Sequence, residues 1–486
     1  MRFGINWKFV LRVVGLTLMI ESVFMFITAG ITIYLREMFG VFILSGIITV
    51  SAGLALFYFS DYKTKFKIIE KKESCLGVTF AWIVFSIFGA LPFLLSGTIG
   101  SFTDAVFEST SGITTTGATI LTGVDYLPKS ILLWRSLIQW LGGLGIIVFS
   151  VALFPLLGGG AALLFDAEAT GLTHDKFRPR VTQMAKRLWL IYVSLTIVLT
   201  GLLIYGKMNV FDAVCHAFST ISTGGFSTKE INIAYWNSTY IEIVTCIFMF
   251  FGATNFALLY FLFKGKFKRF FRDEELRWFA AIILGVSLIV AICLQFDNPA
   301  TGLFKTFHIA FFQVISVVTG TGFSTGLAHW SSVYWIPFMF LMVMCGCSGS
   351  TSGGMKVIRV VVLIKNTFNE FKRLIHPRAI IPVRINREAL SFETVQRLLA
   401  FAFLYVLIIF VSWGVLIFSG MSFMEALVAA LSSLGNTGLG FGENGPSGTF
   451  VAIPAFAKWY MSFLMVVGRV EIFAVLILFI PDFWKD

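Results

Sequence analysis

Long apolar runs separated by short polar segments alternate along the whole chain. Runs of roughly 20 residues, enough to cross the hydrocarbon layer as a helix, fall near 9–34, 39–60, 76–96, 132–158, 188–206, 240–263, 278–297, 333–364, 398–419 and 456–480. This pattern predicts ten full spans. Between them lie four stretches too short and too polar to cross.

The first of the four is Ser101–Thr119, SFTDAVFESTSGITTTGAT, and its features recur three times. With Gly117 as reference, the counterparts are Gly225, Gly322 and Gly438, spaced 108, 97 and 116 residues apart. Twelve residues before each stands an alanine (Ala105, Ala213, Ala310, Ala426), and six before each a serine (Ser111, Ser219, Ser316, Ser432). Sixteen before stand Ser101, Asn209, Thr306 and Ser422, followed three later by Asp104, Asp212, Ile309 and Glu425. A cap residue with an acid three positions on marks a helix start. Each copy therefore predicts a short capped helix running into a threonine- and glycine-rich extended stretch.

The fold class that follows is an all-α integral membrane protein. Four parallel span–short helix–span repeats surround a central pore, as in a potassium channel, and two further transmembrane helices precede them. The boundaries fall at 1–75 for the two extra helices, then 76–164, 165–277, 278–365 and 366–486 for the repeats.

Composition agrees with burial in lipid: 57% of residues are hydrophobic and 13% charged, against about 25% charged in soluble domains. With the N-terminus inside, 29 of the 37 Lys and Arg fall on the cytoplasmic side and seven outside. All four short helices then lie on the outer side. Beside anionic lipid, this asymmetry accounts for the net charge of +11 without any nucleic-acid partner.

Irregular backbone at membrane depth is tolerated where it lines a polar cavity or is buried in protein. Four short helices aimed at one axis would direct their negative C-terminal ends inward. The residues that follow would supply the oxygens: Thr115, Thr116 and Gly117; Thr223, Gly224 and Gly225; Gly320, Thr321 and Gly322; Asn436, Thr437 and Gly438. Rings of carbonyls replace the hydration shell of a monovalent cation. None of these segments holds the carboxylates that divalent sites usually need. The expected filter ligand is thus potassium, as substrate, with no cofactor bound by the chain. Tight helix crossing is the plainer use of such glycines, but it does not explain four matched copies.

The second span of the third repeat is interrupted by Cys345, Gly346, Cys347, Ser348, Gly349, Ser350, Thr351, Ser352, Gly353 and Gly354. Glycine weakens a helix by about 1 kcal/mol each, so a broken helix and a gate below the filter are expected. Gly349 and Gly353 also match a helix-packing pair. The second spans align on Gly142, Gly252, Gly346 and Gly468, and Arg469 follows the last near mid-span. A central arginine needs a cavity or a partner. It is read either as an electrostatic barrier touching the 345–354 loop, or as an ion pair with Glu471 or another carboxylate. The six cysteines and five histidines lack metal or disulfide spacing, and no phosphate-binding loop is present. No enzyme constellation emerges.

The four filter segments, the interrupted span and the GRVE around Arg469 resemble the TrkH/KtrB/HKT superfamily of potassium transporters over about residues 76–480. The two extra N-terminal spans are more like the TrkH branch. The resemblance implies that Gly117, Gly225, Gly322 and Gly438 are the filter glycines and that the 345–354 loop and Arg469 gate the pore. It implies a homodimer in the bacterial inner membrane and a cytosolic TrkA-like nucleotide-binding ring. The basic segments 165–187, 264–277 and 366–397 are candidates for docking it. The filter lacks the full TVGYG signature, which leaves rubidium and sodium passage open. The alternative is a symporter coupling potassium to sodium or protons through Glu108 or Glu471.

Overall fold

The computed structural model describes residues 5–60, 71–143, 145, 181–297, 302–325, 332–440 and 449–484. The distal part of the span expected at 132–158 and the basic stretch 165–180 lie outside the described residues. Among the described residues the chain is helical apart from one two-stranded hairpin, in which Arg384 lies opposite Ala389 and Ile385 opposite Glu388.

Among the described residues, six helices are long and apolar enough to cross a membrane, or eight if two bent pairs each count as one span. Trp7–Leu35 and Phe39–Phe59 form an N-terminal pair. They cross where Gly15 and Gly53 meet: a Cβ on Gly15 would lie 2.8 Å from the Gly53 carbonyl. Small residues let membrane helices approach this closely. Around the outside, side chains such as Phe304, Phe410, Leu288 and Ile197 are exposed, as expected of a surface whose solvent is lipid.

The four short helices are Phe102–Ile113, Val210–Ile221, Leu303–Val318 and Phe423–Gly435. Each packs on a helix of the preceding repeat. Lys129–Gly143 lies against Val210–Ile221, Thr239–Gly252 against Leu303–Val318, and Ser332–Met344 against Phe423–Gly435. Ala455–Val470 then closes back onto Phe102–Ile113.

Two expectations are corrected. The runs 240–263 and 456–480 are not straight spans: Thr239–Gly252 turns by 111° into Phe256–Phe263, and Ala455–Val470 by 117° into Ile472–Phe479. Asn255 makes the first break tolerable, because its side chain accepts from Ala257 N at 2.8 Å and caps the new helix. The run 333–364 is also split, into Ser332–Met344 and Val357–Ile375, here at the expected place. The second correction concerns Thr306. The third short helix begins a turn earlier, capped by Gly302, and Thr306 instead donates to Gln295 Oε1 at 3.1 Å. That copy has Ile309 where the others carry an acid, so nothing fixes the start at Thr306. Asn209 caps as expected and Ser422 forms a full capping box with Glu425.

Candidate functional site

All four short helices end in the same way. The residue two before the reference glycine is left-handed: Thr115 (φ 54°), Thr223 (φ 55°), Gly320 (φ 75°) and Asn436 (φ 53°). Its N–H turns back to Gly112, Thr220, Val317 and Ser433 respectively. The next N–H, from Thr116, Gly224, Thr321 and Thr437, reaches the carbonyl of the recurring serine at 2.8, 2.8, 3.0 and 3.0 Å. This paired closure is the Schellman motif. The recurring serine six residues before each glycine thus closes the cap through its backbone carbonyl, while of the four hydroxyls only that of Ser316 is hydrogen-bonded among the described residues, to Phe323 O at 2.6 Å. Thr115 and Thr223 hold a conformation that costs a non-glycine residue about 1–2 kcal/mol, so surrounding contacts must fix it.

The reference glycines are left-handed as well, at φ 85°, 80°, 74° and 70° along the chain. Each faces backbone of the next copy. A Cβ on Gly117 would strike the Gly224 carbonyl, one on Gly225 that of Thr321, one on Gly322 that of Thr437, and one on Gly438 that of Thr116. The twelve predicted filter residues are thereby brought together in a closed ring, copy one to two to three to four to one.

Buttresses stand behind the ring. Buried Glu108 accepts from Thr119 Oγ1 at 2.9 Å, Ile120 N at 2.9 Å and Arg135 Nε at 2.9 Å. At the same position of the second copy, His216 Nε2 meets Ser227 Oγ at 3.1 Å. Thr119 and Ser227 both lie two residues beyond their glycines. Gln139 donates to the Gly224 carbonyl at 2.6 Å and accepts from Phe226 N at 3.1 Å. Sequence reasoning missed Gln139, because a lone glutamine in an apolar run carries no signal of its partner.

The interruption at 345–354 lies directly against the ring. Thr351 Oγ1 donates to Ile221 O at 3.1 Å and Gly252 O at 3.0 Å and lies 3.3 Å from Thr223 Oγ1. A Cβ on Gly320 would sit 3.4 Å from Ser352 Oγ, and one on Gly353 would sit 2.6 Å from Asn436 Oδ1. Three consecutive residues thus face copies two, three and four. Cys347 N donates to Ala253 O at 2.8 Å and Phe256 N to Gly349 O at 3.0 Å, so the breaks in the second and third repeats satisfy each other. Gly349 and Gly353 stand in this non-helical loop, not on a helix crossing.

Arg469 completes the assembly. Its guanidinium donates to Thr351 O, to Gly142 O at 2.5 Å and to Gly143 O at 2.9 Å. Glu471, the carboxylate considered as its ion-pair partner, is instead bonded by Arg359 at 2.7 and 3.0 Å. Lys356 donates to Ser352 O. Both Lys356 (φ 75°, ψ 136°) and Glu471 (φ 76°, ψ 137°) hold a backbone region nearly reserved for glycine, each at the start of a helix after a break.

Backbone oxygens gathered between membrane-embedded helices, with a cationic cluster against one side, define a polytopic membrane transport protein. The chain belongs to the TrkH family of cation transport proteins, whose model, described as "TrkH: Cation transport protein", matches residues 39–485. These are transporters and not enzymes. The chain is 36% identical over 490 residues to the Trk system potassium uptake protein TrkH of Escherichia coli K12, covering 99% of this chain and 100% of that one. It is 37% identical over 485 residues to TrkH of Halomonas elongata, covering 98% and 99%. The crystal structure of the potassium transporter TrkH from Vibrio parahaemolyticus superposes with a TM-score of 0.88 at 36% identity, covering all of both chains.

Proposed function

We propose that this protein carries potassium into a bacterial cell through a gated, channel-like pore on the axis of the four repeats. The observation that carries this reading is the closed ring in which each reference glycine faces a carbonyl of the next copy. Left-handed residues alternate with ordinary ones around each glycine, which turns successive carbonyls toward one side. Thr115–Gly117, Thr223–Gly225, Gly320–Gly322 and Asn436–Gly438 then form the selectivity filter, and neutral oxygen favours a weakly hydrated monovalent cation. The names of the relatives, potassium uptake proteins of Trk systems, support potassium as the substrate.

The gate in this reading is the 345–354 loop held by Arg469, whose positive charge stands in the path of an incoming cation. The N-terminus and basic loops face the cytoplasm, the four short helices face outward, and a cytosolic nucleotide-binding ring controls the loop. Two copies of the chain assemble in the inner membrane. The two carboxylates that the sequence offered for coupling are both engaged, Glu108 with Arg135 and Glu471 with Arg359, which favours a pore over a symporter working through either. The test is growth of a potassium-uptake-deficient bacterium at low external potassium, with the cytosolic partner co-expressed. No rescue, despite normal membrane levels, refutes the proposal.

A further inference from the structure

The loop proposed as the gate is held from outside the ring by one carboxylate. Glu275 is the second residue of the helix Glu274–Asp297 and is buried. Its Oε1 accepts from Ser348 N at 2.6 Å and Ile358 N at 3.2 Å, and its Oε2 from Ser348 Oγ at 3.2 Å. Ser348 lies early in the interruption and Ile358 in the first turn of Val357–Ile375. One side chain therefore ties together both ends of the loop.

Neighbours on a helix point in different directions, and Glu274 faces the opposite way. It accepts from Lys365 Nζ and from Asn386 N at 3.0 Å, while its own N–H donates to Asn386 Oδ1 at 2.8 Å. Asn386 Nδ2 donates to Asp273 Oδ2 at 2.9 Å. The hairpin Arg384–Ala389, exposed except for Ile385, is thus bolted to the same turn that holds the loop.

We propose that Glu275 is the positioning residue that keeps the 345–354 loop against the ring, and that the hairpin Arg384–Ala389 acts on the loop through Asp273, Glu274 and Glu275. The proposal rests on the loop being the gate. It gives the hairpin a definite role: a partner that pulls on Asn386 moves Glu275, and with it both ends of the interruption.

Rubidium flux through the full chain, purified and reconstituted in liposomes without a partner, tests this. Glu275→Gln keeps the reach to both N–H groups and is expected to stay within about twofold of the wild type. Glu275→Asp keeps the carboxyl but loses the reach, and should raise resting flux about tenfold, as expected when a buried N–H is left without its acceptor. A purely structural role would lower melting temperature and yield without separating these two variants in flux per molecule. Asn386→Gly removes the hairpin's side-chain contacts while keeping its left-handed backbone (φ 49°). It should raise flux in the same direction, and combined with Glu275→Asp should add nothing further. Arg469→Ala is the control. If it raises flux while Glu275→Asp or Asn386→Gly stays at wild type, the positioning role is refuted and the gate stands. If Arg469→Ala leaves flux unchanged, the gate reading itself fails. Should Glu275→Asp not be recovered folded, the exposed Asn386→Gly variant decides alone.

Discussion

Among the four reference glycines, Gly322 offers the mildest alanine replacement, and its cost can be worked from the structure. The new Cβ would lie 2.5 Å from the Thr437 carbonyl oxygen, whereas ordinary contact begins at 3.4 Å. That oxygen, or the segment carrying it, must therefore retreat by about 0.9 Å, the difference between those distances, in a region as closely packed as a crystal. The backbone adds its own term, since φ 74° costs a non-glycine residue about 1–2 kcal/mol. If the conducting conformation bears that cost, potassium uptake should fall about 5- to 30-fold. The displaced oxygen also widens the ring, so preference for potassium over sodium should narrow. The assay is initial uptake of each ion in a potassium-uptake-deficient strain, normalised to protein in the membrane. Gly117, Gly225 and Gly438 meet their neighbours still more tightly, so alanine there should be worse. Gly201→Ala is the internal control: that helical glycine has open space around its Cα, and alanine there should be neutral or slightly stabilising. Wild-type uptake and selectivity in Gly322→Ala, or a milder effect at Gly225 than at Gly322, would refute the reasoning.

Other consequences can be checked alongside. Arg469→Ala removes the bonds to Thr351, Gly142 and Gly143 and should raise resting cation flux; unchanged flux in a well-expressed variant contradicts the barrier role. Arg135→Ala leaves Glu108 buried without its cation, which should cost about 3–5 kcal/mol, read as a lower melting temperature in detergent. Neither carboxylate oxygen of Glu21 has a hydrogen-bond partner among the described residues, and the side chain is fully buried. Glu21→Met should therefore raise the melting temperature, since the polar oxygens it removes have no partner to offset their desolvation; a fall would mean that Glu21 has a bound partner.

Where the chain announces its plan, it does so through repetition. The recurring glycine has a legible purpose, since it admits a neighbour's backbone, whereas the cap closed at the recurring serine uses a backbone carbonyl that any residue would supply. The interruption at 345–354 was legible because ten small residues cannot form a stable apolar helix. The bends at Asn255 and Glu471 were not, because FFGATNFALL and GRVEIFA remain apolar on both sides. Their freed backbone groups find partners in other repeats, such as Gly349 O for Phe256 N, and local pattern cannot register such a partner. Glu275 was hidden for the opposite reason. In EELR beside a basic loop it reads as an ordinary acid in a first helical turn, and its burial depends on a loop more than seventy residues away. The choice left open for Arg469 could not be settled by spacing either, since carbonyl oxygens carry no residue identity.

Because the four copies lie in one polypeptide, they need not stay alike. Thr351, Ser352 and Gly353 each face a different copy, and Arg469 reaches the carbonyls of Gly142 and Gly143 in the first. A ring of four identical subunits would have to carry such a loop and arginine four times over, and any substitution would fall on all four sides at once. Here a single codon alters one quadrant and leaves three as a reference. Asymmetry between the copies is thus a variable that mutation can tune in quarter steps.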